Sequence, residues 1–306
     1  MIDQRLHVLR VVAERGTVSA AAADLGYTPS AISHQLRTLA HDVGATLLVP
    51  EGRGVRLTVA ALTLLERTHD LFSQWEEIRA DVQQASGTSR GYLRMAGFST
   101  AASALLPPAA VAVSRSFPLS TIRIIEADPE VCFDMLLADQ VDVAVVVSTA
   151  KLPPTSDPRF QQERLMEDAL DLLVPADSPL ATRARVRLAD AAEEHWIMEH
   201  PDRPYHQLVT AACAAAGFTP EHSHEVVEWD TGAALVSAGF GVALVPRLAR
   251  IPHADGLVRI PLRGEASPVR HVRTSVRSGT AGQAEIACAL TELRNVAASL
   301  AEMDAG

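Results

Sequence analysis

The string TVSAAAADLGYTPSAISHQLRTL, residues 17–39, reads as two short helices and the turn between them. Thr17 is placed to accept a hydrogen bond from the first free amides of a helix over Val18–Leu25. Gly26 can take the left-handed conformation that ends such a helix. Thr28 caps the next helix, and Pro29 fits its first position, where a missing N–H has no cost. Ile32, Leu36 and Leu39 then fall on one face, while Ser30, Ser33, His34 and Arg37 fall on others. The four alanines at 20–23 let another helix approach closely. Two helices joined by a short glycine-bearing turn are the signature of a helix-turn-helix.

The flanks extend this unit. Residues 2–15 have helical spacing of Leu6, Leu9, Val12 and Ala13, and Gly16 stops them. Downstream, Leu47-Leu48-Val49 and Val55-Arg56-Leu57 flank Gly52-Arg53-Gly54, a two-stranded wing. Residues 58–86 return to helical period with a stripe of Leu62, Leu65, Phe72, Trp75, Ile78 and Val82. A helix this long, with one apolar stripe and nothing local to cover it, suggests self-association. Ser86-Gly87-Thr88-Ser89 has the composition of a flexible linker.

From Tyr92 the pattern changes to short apolar runs alternating with helical segments. The runs are Tyr92–Gly97, Thr121–Ile125, Val141–Val147, Ala169–Val174, Trp196–Met198, Glu225–Val227, Val242–Val245, Val258–Leu262 and Val272–Val276. Helices fit at Ala101–Ser116, Pro129–Leu137, Pro204–Ala216 and Thr231–Ala238, with Asp128 as an N-cap. The alternation implies α/β architecture with largely parallel sheets. Nine runs are too many for one small sheet, so two similar lobes are expected.

Composition bounds the function. The 306 residues are 48% apolar and 21% charged, enough chain for two or three domains. No run approaches the roughly 20 apolar residues of a membrane span. The charged N-terminus lacks a secretory apolar core, so a cytoplasmic location without membrane contact is expected. Cys132, Cys213 and Cys288 lie far apart, which suits a reducing compartment. The net charge of −10 is unevenly spread. Residues 1–60 hold six arginines against five acids, and the remaining chain carries the acidic excess. An acidic body behind a locally basic head favours one docking orientation on DNA.

The string from Thr17 through Thr28-Pro29-Ser30-Ala31-Ile32-Ser33-His34-Gln35-Leu36 to Arg53-Gly54-Val55-Arg56-Leu57-Thr58 resembles the winged helix-turn-helix of LysR-type transcriptional regulators. Ala238-Gly239-Phe240-Gly241-Val242-Ala243-Leu244-Val245-Pro246 is similar to a strand near the end of that family's effector domain. Three positions depart from the family pattern. Leu48-Val49-Pro50 stands where Phe-x-Arg is usual, Ala40 where Glu is usual, and Ala61 where Gly is common. The resemblance implies an all-α winged helix-turn-helix domain (1–58) and a long linker helix (59–89). An α/β effector-binding region of two Rossmann-like lobes, of periplasmic-binding-protein type, follows at 90–306. Lobe I is expected over 90–162 and 268–302, and lobe II over 163–267. It further implies a double-stranded operator with dyad symmetry, a small-molecule effector, dimers assembling into tetramers, contact with RNA polymerase, and neither a cofactor nor enzymatic activity.

A helix lying in the major groove reads bases with its outward N-terminal side chains. Those are Pro29, Ser30, Ser33, His34 and Arg37, with Arg53 and Arg56 of the wing on flanking phosphate or minor groove. In two α/β lobes, ligands bind between them at the carboxyl ends of strands. That places Ser99, Thr100, Asp128, Glu199, His200, Trp229 and Thr231 at the effector. Within the family, residues matching Ser99, Thr100, Asp128 and His200 lie near bound effectors. Asp128, ionised and unpaired, would repel an anionic ligand, which points to a neutral or amine-bearing one or to none. Competing readings are weaker: a regulator without a ligand, a serine hydrolase from Gly97-Phe98-Ser99-Thr100-Ala101, a metal site at His222 and His224, and a redox sensor at Cys213.

Overall fold

The computed structural model describes residues 3–52, 54–86, 91–251, 256–264 and 267–305. Arg53 and the linker residues Gly87, Thr88 and Ser89 lie outside them. Within the head, α1 (Gln4–Arg15), α2 (Val18–Leu25) and α3 (Pro29–Val43) start and stop as their residues dictate. Thr17 Oγ1 accepts from the Ala20 N–H at 3.1 Å and Thr28 Oγ1 from the Ala31 N–H at 3.2 Å. Gly26 ends α2 at φ +67°, a conformation costly for any residue with a Cβ. Leu6, Leu9 and Val12 of α1 close on Ala21 and Ala22 of α2 and on Ile32, Leu36 and Leu39 of α3. Each fully buried large aliphatic side chain contributes roughly 1.5–3 kcal/mol.

The wing consists of β1 (Leu48–Glu51) paired antiparallel with β2 (Gly54–Leu57), so the head is helical with one small hairpin. Helix α4 (Val59–Ser86) follows. Its stripe is divided. Ala61, Leu64 and Leu65 pack on the head's own core, whereas Leu62, Leu71, Ile78 and Val82 are exposed. The side chain of Phe72 lies outside the described set.

The α/β region begins with β3 (Tyr92–Gly97), α5 (Ser99–Ala104), α6 (Leu106–Ser116), β4 (Thr121–Glu126), α7 (Pro129–Leu137) and β5 (Val143–Val147). The single helix expected over Ala101–Ser116 is therefore two. Pro107 and Pro108 lack the N–H groups that would continue the ladder from α5, and the chain breaks at Leu105. Next come β6 (Phe160–Pro175), β7 (His195–Met198), α8 (Pro204–Ala215), β8 (Glu221–Glu225), α9 (Trp229–Ser237), β9 (Ala243–Pro246), β10 (Leu257–Pro261), β11 (Val269–Arg277) and α10 (Ala284–Ala305).

The sheets are mixed rather than largely parallel. β3 pairs parallel with β4 and β5, and β7 pairs parallel with β8. The other strand-to-strand ladders of this region run antiparallel around β6 and β11, and two isolated bridges, Val186 to Leu262 and Trp196 to Val242, are parallel. The 16-residue β6 pairs with β11 up to Ala169, then with β9 from Leu170. It thus belongs to both lobes and joins β10, β11, β5, β3 and β4, with β9 branching from it, into one seven-stranded sheet, while β7 and β8 form a separate pair. One core gathers Met95, Leu106, Val145, Val272 and Leu293, with α7 covering the opposite sheet face through Phe133 and Leu136. The other gathers Leu172, Trp196, Met198, Val209 and Leu244.

Helix α1 also touches the α/β region. Arg10 Nη2 donates to the Leu137 carbonyl at the end of α7 (3.0 Å) and to His7 Nδ1 (2.8 Å). Arg15 Nη1 pairs with Asp134 of α7 at 2.8 Å. Burial and the adjacent Arg10 guanidinium lower the His7 pKa from 6.5 to about 4.

Candidate functional site

Two surfaces gather chemistry. The first is the outer face of α3. Pro29, Ser30, His34 and Arg37 are exposed there, and Ser33 is half-buried toward the wing. Arg37 has no ion-pair partner among the described residues, so its planar fork of donors is available to a base edge or phosphate. Ser30 Oγ lies 3.0 Å from the capping Thr28 hydroxyl. Arg56 Nε donates to Glu51 across the wing at 3.1 Å, with both side chains exposed. Such a pair is worth at most about 1 kcal/mol and yields readily to phosphate. Arg53 lies outside the described residues.

The second surface is a cleft of about 600 Å³ between the lobes. Its first wall is the carboxyl ends of three parallel strands. Phe98, Ser99 and Thr100 follow β3, Asp128 follows β4, and Ser148 and Thr149 follow β5. The facing wall brings Glu199 after β7, Arg203, Tyr205 and Leu208 around the start of α8, and Trp229 at the start of α9. Arg270 and His271 arrive from β11.

Five of the seven residues expected at the effector therefore meet: Ser99, Thr100, Asp128, Glu199 and Trp229. His200 and Thr231 do not line the cleft. α9 begins two residues earlier than its sequence pattern suggested, which turns Trp229 inward and leaves Thr231 on the exposed side. His200 sits past the end of β7 with its ring toward Asp202, 3.5 Å away.

The charges of the cleft are mostly spoken for. Asp128 occupies the N-cap of α7 but makes no capping bond. Its carboxylate instead accepts from Arg203 Nη1 of the opposite lobe at 3.3 Å. Arg203 Nε also stands 4.0 Å from Glu199. Arg270 is buried, bonded to Asp168 at 2.5 Å and to Thr100 Oγ1 at 2.8 Å, with its guanidinium 5.1 Å from the Phe98 ring centroid. Glu199 is largely buried, and desolvation raises its pKa above the ordinary carboxylate value. The Tyr205 hydroxyl donates to the Leu244 carbonyl at 2.9 Å, and its ring meets Trp229 edge-on.

Sequence reasoning missed Ser148, Thr149, Arg203, Tyr205 and Arg270. The first two carried the same signal as Ser99, since they follow an apolar run directly. Arg270 carried none, being one polar residue within a strand. Other chemistries find little footing. Burial pushes the thiols of Cys132 and Cys213 up to about 12, the wrong direction for a reactive thiolate. Among the described residues no cluster of three His, Cys, Asp or Glu side chains could hold a metal. No described helix is long and apolar enough to cross a membrane.

Comparison with known proteins identifies both parts of the chain. Residues 4–62 match the family model for bacterial regulatory helix-turn-helix proteins of the lysR family, and residues 86–298 match that of the LysR substrate binding domain. A probable HTH-type transcriptional regulator, LrrA of Synechococcus elongatus, is 28% identical over 81% of this chain and 82% of its own. The transcriptional dual regulator GltC of Bacillus subtilis is 26% identical over 79% and 80%. Among solved structures, a full-length OxyR variant from Pseudomonas aeruginosa superposes with a TM-score of 0.67 at 19% identity, covering 96% of this chain and 95% of that one. Full-length CbnR complexed with its target DNA superposes with a TM-score of 0.55 at 22% identity, covering 97% and 100%. A helix-turn-helix head, a long helix and a two-lobed α/β region thus coincide with family models at both ends, and the chain belongs to the LysR family of bacterial helix-turn-helix regulators.

Proposed function

We propose that this chain is a cytoplasmic transcriptional regulator, not an enzyme, that binds a dyad-symmetric operator and responds to a small molecule held between its lobes. The observation that carries this is the outward face of α3, where Arg37 has no ion-pair partner among the described residues, on a helix whose opposite face is fixed by Ile32, Leu36 and Leu39. Pro29, Ser30, Ser33, His34 and Arg37 contact the major groove, and Arg53 and Arg56 contact flanking phosphates. Residues 1–58 form the DNA-binding domain, 59–89 the linker helix, and 90–306 the effector domain. One head makes too few phosphate contacts for firm binding, so two heads act together through α4, and dimers pair into tetramers. Ligand binding favours one arrangement of the lobes and so alters how the heads are spaced on DNA and how polymerase is reached. Genome-wide mapping of bound DNA tests the reading. Enrichment at a small set of dyad-containing promoters is expected, and uniform weak occupancy of all duplexes would overturn it.

A further inference from the structure

The cleft has a charge imbalance that its own residues do not resolve. Its lining carries five carboxylates: Glu126, Asp128, Glu130, Glu199 and Glu228. Two guanidiniums face them, and each is already engaged by a carboxylate. Arg270 is neutralised by the fully buried Asp168 and further held by Thr100 and Phe98. Arg203 is divided between Asp128 at 3.3 Å and Glu199 at 4.0 Å. Glu126, Asp128 and Glu228 lie at the solvated rim, but the Glu199 carboxylate retains only 12% exposure. At 4.0 Å its nearest guanidinium nitrogen is beyond hydrogen-bond range. A carboxylate taken from water without a bonded cation is destabilised, and burial indeed raises the Glu199 pKa.

A second, independent observation lies in the same cleft. Ser148 Oγ and Thr149 Oγ1 are closed off from solvent and have no hydrogen-bond partner among the described residues. Sealed as they stand, these hydroxyls reach a ligand only by turning into the cleft, where each would then supply an acceptor. An ammonium group offers three donors and no acceptor, which matches one carboxylate and two hydroxyl oxygens. Tyr205, Trp229 and Leu208 supply apolar wall nearby.

We infer that the cleft binds an organic amine, a protonated ammonium on an apolar or aromatic body, with the cation between Glu199 and the Ser148-Thr149 hydroxyls and the body against Tyr205 and Trp229. This rests on the cleft being the effector site. The ammonium supplies the charge that Arg203 provides only at a distance, and it competes with Arg203 for Asp128. A carboxylate ligand would enter a field already negative, with both arginines engaged.

Isothermal titration of the full chain near pH 7.5 tests this with matched probes: phenethylamine, benzylamine, tyramine and hexylamine against phenylethanol, phenylacetate, benzoate and hexanoate. At least one amine is expected to bind saturably and at least tenfold more tightly than its alcohol or acid counterpart. Glu199→Gln should weaken that amine at least tenfold, and the near-isosteric Thr149→Val several-fold, each variant being checked for an unchanged unfolding transition. Should Glu199→Gln fold poorly, Thr149→Val alone carries the comparison. If an acid binds as well as its amine partner and Trp229→Ala abolishes it, the cleft remains the effector site and only the amine assignment falls. If an amine binds but neither Glu199→Gln nor Thr149→Val alters its affinity, the assignment also falls. If no probe binds, the amine assignment is overturned, while promoter mapping still judges the regulator reading separately.

Discussion

Arg37 stands on the open face of α3 one turn beyond Ser33, and a guanidinium so placed suits guanine or phosphate. Arg37→Ala should weaken binding to a mapped operator by about 1–3 kcal/mol at fixed salt, read by fluorescence anisotropy. An unchanged affinity removes the groove contact from this residue. His7 behaves differently. Its lowered pKa means that the unfolded chain takes up a proton at about 6.5 while the folded chain resists until about 4. The stability gained by keeping it neutral is complete above pH 6.5 and is lost as pH falls through about 4. Thermal midpoints should therefore fall more steeply with acidification for the parent than for His7→Gln across that window. The outward residues of α3 were legible because Ile32, Leu36 and Leu39 fix the helix rotation, and everything else follows from the 3.6-residue period. Arg203 and Arg270 were not legible, since their importance comes from Asp128 and Asp168, residues far away in sequence.

At the scale of elements, the exposed part of α4 makes a specific demand. Leu71, Ile78 and Val82 lie open on a 28-residue helix, an arrangement that a second copy would cover. Combining Ile78→Glu with Val82→Glu should raise the dimer dissociation constant at least tenfold in sedimentation velocity, with the single-chain fold retained. At the turn into β9, Gly241 has φ +144°, and an added Cβ would lie 2.3 Å from the His195 carbonyl oxygen. Gly241→Ala should cost about 1–3 kcal/mol, visible as a lowered thermal midpoint. Strands with apolar runs, such as β3 and β5, were readable from sequence. The first half of β6, Gln161-Gln162-Glu163-Arg164, was not, and β8 (Glu221–Glu225) lies four residues earlier than the run expected over Glu225–Val227. Both are solvated and polar, so hydrogen-bonded pairing rather than hydrophobic period makes them strands.

At the scale of the whole molecule, the two-lobe region holds cores of its own that share no residue with the head's core. A chain starting at residue 90 should unfold cooperatively in calorimetry and keep its circular dichroism, and a non-cooperative transition would move the domain boundary. The expectation of parallel sheets failed at this scale for a topological reason. β6 is a long strand shared across the lobes, and β11, returning from the second lobe, pairs antiparallel with it and with β5. Helix α7 connects matters that the sequence kept apart. Nine residues make a rod of about 13 Å. Asp128, Pro129 and Glu130 at its near tip border the cavity, while Asp134 and the Leu137 carbonyl toward its far tip grip Arg15 and Arg10. A ligand that loosened Arg203 from Asp128 would bear on a stiff pushrod whose other end is pinned to the head, a route that links cleft and head inside a single subunit without any neighbour.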